Sequence, residues 1–355
     1  MKRYRKTTLS VTTLIVIVAL ALAWHRFWPG PRRVAGGIFE LHKVLSSQAG
    51  FIWRARFSPD GTMIVSASTD GTARVWTTDG RIVQDLIHPS GVTAADFSPD
   101  GKTIATTSYD GRLRIWNLGD GSLARTIAAG PHTLWCLAFS PDGKFIASAG
   151  EDRVVHLWNA ADGTPIRTFA GHRLNIWAVA FSPDGSTLVS GSFDRTAILW
   201  NVADGVQLRV LAGHRHGIVA ANFSPDGTEV VTGSDDGTAK LWNTVDGSLI
   251  ATFAGGPYHV YASEFSPDGK WLLIAGKDRP LLGEALQNVL GKSDANRWVT
   301  AQLRDVASGE VLQTFQEHAN DINDASFSPD GQWIVTASED QTIDLWHRID
   351  ARQKM

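Results

Sequence analysis

Acid–base catalysis and metal binding need carboxylates and imidazoles that converge on one point. This chain of 355 residues holds 36 acidic residues and 11 histidines, and the suggestive ones recur. An aspartate stands at Asp70, Asp110, Asp152, Asp194, Asp236, Asp278 and Asp340, at near-constant spacing. Groups set at equal positions of successive repeats point into separate local networks and do not meet at one centre, so we read them as structural. Asp235-Asp236-Gly237 suggests a calcium loop, but the glutamate such a loop carries at its twelfth position is absent. His214 and His216, two apart on a strand, would share one face, which is the minimal condition for a metal pair. No phosphate-cradling glycine loop, paired-cysteine metal spacing or nucleophile elbow is present. The single cysteine, Cys136, lies in an apolar run from Leu134 to Phe139 and reads as a buried, inert thiol. It excludes an intrachain disulfide and leaves the compartment open. The chemistry expected is therefore recognition: no catalysis, no cofactor and no bound metal.

The elements that would position such residues are written in a repeat. The peptide FSPDG occurs seven times, from Phe57, Phe97, Phe139, Phe181, Phe223, Phe265 and Phe327, at intervals of 40, 42, 42, 42, 42 and 62 residues. A period near 42 suits four-stranded propeller blades. Proline presets φ for the second position of a type I turn, and glycine follows where a positive φ is wanted. Apolar, β-branched stretches flank each copy, for example Ala178 to Phe181 and Thr187 to Ser190, so each FSPDG is a hairpin turn. Nineteen residues after six of the seven phenylalanines comes a tryptophan: Trp76, Trp116, Trp158, Trp200, Trp242 and Trp346. Five repeats then reach an Asp-Gly turn and a fourth strand, such as Ser248 to Ala254. The last repeat ends at Trp346-His347 without a fourth strand, while Phe39 to Leu45 stands before the first as an orphan strand. Pairing the two would complete the last blade and leave no open sheet edge there.

From about residue 38 to 347 the chain resembles the WD-repeat family, through features that recur in register seven times. The resemblance implies an all-β, seven-bladed β-propeller of four-stranded antiparallel blades. It also implies a hydrogen-bond network in each blade of histidine, Ser or Thr, turn aspartate and strand tryptophan. The matching histidines are His88, His172, His214 and His318, which gives His214 a structural role instead of a metal. Gln48, Gly130 and Gly256 stand at that position in three repeats, and Arg304 replaces the tryptophan in the sixth, so blade six should be the most divergent.

Two features carry the expected function. Four residues before each repeat phenylalanine stand Trp53, Thr93, Trp135, Trp177, Val219, Tyr261 and Asn323. The residue before each is apolar and out of phase with the buried phenylalanine, since side chains alternate along a strand. A bulge in the first strand would resolve the conflict and turn the named residue toward the ring's top face. In WD-repeat proteins that face is a common partner surface. Phe51 and His259, and the residues before the turn aspartate, including Tyr109 and Phe193, belong with it. Against simple packing at strand ends, we read Phe51, Trp53, Tyr109, Trp135, Trp177, Phe193, His259 and Tyr261 as anchors for a partner. The second feature is the extra length of repeat six, about residues 279–298. There Leu281, Leu282, Ala285, Leu286, Val289 and Leu290 have the spacing of one helical face, with Pro280 and Gly291 as its ends. This predicts a helical insert on the same face, with Leu282 and Leu286 as contacts; capping the channel or patching the divergent blade six are the competing roles.

Residues 1–30 stand apart. Lys2, Arg3, Arg5 and Lys6 precede an uncharged stretch from Thr7 to Trp24, and Arg26, Phe27, Trp28 and Pro29 follow. Ala21-Leu22-Ala23 fits a signal-peptide cleavage site, whereas Trp24, Arg26, Phe27 and Trp28 fit the interfacial belt of an uncleaved hydrophobic helix. We expect the anchor, single-pass, with its N-terminus inside and the propeller outside the cytoplasm; secretion after cleavage is the alternative. Residues 31–37 would be a linker and 348–355 a tail. The net charge of −3 provides no general field for nucleic acid. The expected function is a scaffold that binds a protein or peptide at a membrane surface, with a ligand- or glycan-binding propeller as the alternative.

Overall fold

Each FSPDG copy folds as its residues dictate. In the first, Gly61 N–H donates to Ser58 O at 2.9 Å, the Ser58 hydroxyl donates to Asp60, and Asp60 also accepts Thr62 N–H at 3.0 Å. Gly61 has φ of 71°, a conformation that costs glycine nothing. In a computed structural model of the chain the described residues are 37–46, 48–254, 258–277 and 301–349. Their 28 strands form seven four-stranded antiparallel sheets. The predicted N-terminal helix and the insert helix with Leu282 and Leu286 lie outside the described residues, as does Asp278.

The first strand of each blade faces the central channel. These are β2 (Ile52–Phe57), β6 (Val92–Phe97), β10 (Leu134–Phe139), β14 (Ile176–Phe181), β18 (Ile218–Phe223), β22 (His259–Phe265) and β26 (Ile322–Phe327). The core sits between blades. Cys136, Ala147 and Leu157 of blade three pack on Ile176, Leu188 and Trp200 of blade four, and equivalent clusters fill the other gaps. Burying such side chains contributes about 1.5–3 kcal/mol each, so the ring holds together by its inter-blade faces.

Closure follows the predicted route. The strand β1 (Phe39–Leu45) pairs antiparallel with β28 (Ile343–Arg348), completing blade seven. Leu45, Ile343 and Leu345 then pack on Ile52, Ile64 and Trp76 of blade one. All seven first strands carry the expected bulge, at Trp53, Thr93, Trp135, Trp177, Val219, Tyr261 and Asn323.

Candidate functional site

The recurrent polar residues are consumed by the blades. In blade four the Trp200 indole N–H donates to Ser190 Oγ at 2.8 Å, the Ser190 hydroxyl lies 2.7 Å from His172 Nε2, and His172 Nδ1 lies 2.9 Å from Asp194. An indole only donates and a carboxylate only accepts, so the chain runs Trp to Ser to His to Asp with the proton on Nδ1. Trp242, Thr232, His214 and Asp236 repeat it in blade five, and Trp346, Thr336, His318 and Asp340 in blade seven. Burial opposes the charge on Asp194, Asp236 and Asp340, but hydrogen bonds from the histidine, a threonine and a backbone N–H outweigh it and hold these carboxyls far below their ordinary value. His214 is thus bound inside its blade, while His216 is exposed.

Three other blades with the tryptophan depart from this pattern. His88 contacts Thr106 but turns Nδ1 to Leu86 O, and does not reach Asp110 as expected. The reason is Arg114, four residues beyond that aspartate, whose guanidinium takes the carboxylate. Burial pushes the His88 pKa down to about 4, so its ring is neutral at pH 7. In blade three, where Gly130 replaces the histidine, His156 reaches Asp152 at 2.6 Å from the same strand position, and Trp158 keeps its bond to Ser148. In blade one Trp76 bonds Ser66 at 3.0 Å and Asp70 caps its turn through Thr72, but Gln48 reaches only Thr72, at 3.4 Å. Blade six has lost more than Arg304 indicated. Ile274 occupies the Ser/Thr position, and the Arg304 guanidinium turns to Gln302 at 2.6 Å and Ala254 O at 2.9 Å. Cys136 is fully buried, which pushes its thiol up to about 12 and keeps it unreactive.

Of the predicted residues, Trp53, Tyr109, Trp135, Trp177 and Phe193 come together on the top face, the side that carries the loops between blades and the turns between second and third strands. They form an arc over blades one to four. Trp53 donates its indole N–H to the Tyr109 hydroxyl at 2.8 Å, and Tyr109 and Trp53 both meet Trp135 edge to face. Trp135 and Trp177 stack with centroids 4.3 Å apart and planes 13° apart, and Trp177 continues to Phe193 at 5.0 Å. The rings are half-buried against each other, not individually exposed; only Phe51, 43% exposed, stands clear. Among the described residues the buried N–H groups of Trp135 and Trp177 have no hydrogen-bond partner.

The backbone prepares this arrangement. In each of six blades the residue six before the repeat phenylalanine accepts the N–H of the residue before the turn aspartate, as Gly91 does from Tyr109 and Gly217 does from Asp235. A Cβ on Gly91 would lie 2.6 Å from Tyr109, and one on Gly217 would lie 2.2 Å from Phe193. Glycine at these two positions leaves the space that the rings occupy. His259 and Tyr261 form a separate stacked pair on blade six, with His259 Nδ1 3.3 Å from Asp235.

Beneath the mouth, the channel wall carries residues the sequence reading did not single out. Arg56 lies 2.9 Å from Asp324 and 3.5 Å from Glu264, while Arg54 and Asp96 line the same cavity. Burial raises the Asp96 pKa to about 6 despite both arginines. Asp324 also accepts Ala55 N–H at 3.1 Å and Glu264 accepts Phe327 N–H at 3.0 Å, so these groups tie blades six, seven and one. Polar residues one and three before the repeat phenylalanine were the signal that could have revealed them. Among the described residues no group of histidine, cysteine, aspartate and glutamate is placed to hold a metal ion, and no helix is long and apolar enough to cross a membrane.

Comparison with known proteins agrees with this architecture. The family profile described as WD domain, G-beta repeat matches residues 39–77, 80–117, 121–159, 163–201, 205–243, 247–279 and 309–347. The human WD repeat-containing protein 36 is 28% identical over 75 residues, which is 21% of this chain and 7% of that protein. The match thus spans a small part of that relative's length.

Proposed function

The chain belongs to the WD40 family of β-propellers, and from that premise we propose that it is a non-catalytic scaffold that captures a protein or peptide on its top face. The observation that carries this reading is the arc Trp53–Tyr109–Trp135–Trp177–Phe193, which joins four blades into one aromatic surface. Large, rigid aromatic side chains supply contact area at low entropic cost, which is why they dominate binding hot spots. The finer reading adds a membrane tether. The basic start and uncharged Thr7–Trp24 stretch support an uncleaved anchor with the propeller outside the cytoplasm.

Affinity capture from host membranes with the full chain tests the scaffold. Replacing Trp135 and Trp177 by alanine should abolish retention of the captured protein while the unfolding transition stays cooperative. Unchanged retention by the folded variant would refute the top-face assignment. For the tether, protease added to intact cells stripped of their outer layers should digest the propeller of the membrane-bound chain; full protection would place it on the other side.

A further inference from the structure

The top face is electrically lopsided. Blade four presents Arg173 and Arg195 from its two top loops, both exposed, and Arg153 and Arg215 flank them on blades three and five. Among the described residues none of these four guanidinium groups has an ion-pair partner. Blade seven, on the far side of the ring, carries Glu317, exposed, Glu339, half-buried, and Asp321, buried, in the equivalent loops, and among the described residues only Asp321 has an ion-pair partner there, Lys277 at 2.7 Å.

The arginines coincide with the aromatic stack. Trp135, Trp177 and Phe193 belong to blades three and four, and Leu174, half exposed, stands beside Arg173. Arg153 and Arg195 also occupy the turn position where blades one, two and five have glycine, with φ of 68° and 73° against 86°, 72° and 78° for Gly71, Gly111 and Gly237. A non-glycine residue in the left-handed region costs roughly 1 kcal/mol. The two blades that bear the stack thus carry an arginine in this conformation, at a turn position that blade seven fills with Gln341 at φ of 73°. This shelf combines apolar rings with cations that have no ion-pair partner among the described residues; the carboxylates nearest them, Asp152 and Asp194, are taken up by His156 and His172, and Glu151 faces the Thr133 N–H at 3.4 Å.

We propose that the shelf over blades three and four binds an acidic peptide segment of a partner protein, its apolar side chains on the Trp135–Trp177–Phe193 stack and its carboxylates on Arg153, Arg173 and Arg195. The acidic loops of blade seven repel the same segment and confine it to one side of the channel mouth. This rests on the top-face reading above and specifies the partner's chemistry. A polyanion running across the whole mouth, such as single-stranded nucleic acid, would meet that acidic side.

Selection of random dodecapeptides on the immobilised full chain, followed by fluorescence anisotropy of those retained, tests the inference. The selected sequences should be rich in Asp and Glu beside Leu or aromatic residues. R173E/R195E alters only exposed side chains; it should weaken these peptides by on the order of tenfold or more and shift a new selection toward basic sequences. Affinity of the wild type should fall as salt rises. Peptides that are neutral or basic, or acidic peptides that bind R173E/R195E undiminished, would overturn the acidic-segment inference. The top-face reading survives that outcome if Trp177→Ala still abolishes binding, and falls as well if it does not. A 12-nucleotide single strand that displaces the peptides and binds more tightly would also overturn the inference, as would selection of no peptide.

Discussion

At the scale of single residues, what matters is which partner each titratable group finds. Asp236 is held by His214, Thr238 and the Arg215 N–H inside a blade that has no other use for it. Asp236→Ala leaves the buried His214 and Trp242 chain without its acceptor, so we expect a loss of about 2–4 kcal/mol by urea denaturation, with channel-mouth binding unaffected. Because hydrogen bonding depresses the folded-state pKa of Asp194, Asp236 and Asp340 below the ordinary 3.8, their stabilisation is present above that value and is lost as pH falls below it. Asp96 has the opposite sign. Its folded pKa is raised from 3.8 to about 6, so the folded state holds the proton more tightly and stability falls as pH rises through that interval. Asp96→Asn removes this slope. Its melting temperature relative to the parent should climb between pH 4 and pH 6 and level off above; a constant difference would show that Asp96 does not titrate there.

At the scale of elements, the bulged first strand and the turn facing it decide what reaches the top face. Gly217 lies under Phe193, and a methyl group there would strike the ring at 2.2 Å. Gly217→Ala should displace Phe193, lower stability by about 1–3 kcal/mol and weaken top-face binding. Gly213→Ala serves as the control. Its Cβ would meet the Trp242 ring at 3.1 Å, away from the arc, so it should leave binding intact. The turn at Arg195 gives the converse test. Arg195→Gly relieves a positive φ and should raise stability by about 0.5–1 kcal/mol, while reducing affinity for an acidic peptide. A gain in stability without loss of affinity would leave that arginine no role in binding.

At the scale of the whole molecule, the ring is secured at one seam by its first strand. Phe39 and Leu45 are each 2% exposed, and Gln313 of blade six donates to Phe39 O at 2.7 Å while accepting Phe39 N–H at 2.8 Å. Deleting residues 1–46 exposes the β28 edge and empties the blade-seven core. We expect such a chain to lose several kcal/mol and to aggregate, because an open edge offers unpaired backbone groups to a neighbour. A shorter deletion, of residues 1–36, leaves β1 in place; it should keep the melting temperature of the full chain.

Local chemistry was enough to determine the repeat, its turns, the blade count and the closing strand, because a type I turn with a following glycine, alternating strands and a recurring tryptophan each leave a signature within a few residues. The bulge was legible too, since the apolar residue beside Trp135 or Trp177 conflicts in phase with Phe139 or Phe181. Only the tertiary structure decided that Trp53, Tyr109, Trp135, Trp177 and Phe193 form one continuous arc, that Arg114 draws Asp110 away from His88, and that the arginines of blade four oppose the carboxylates of blade seven. Those relations join residues of different blades, or side chains competing for one partner. Such contacts depend on ring geometry and side-chain reach, which a repeat read one unit at a time does not contain.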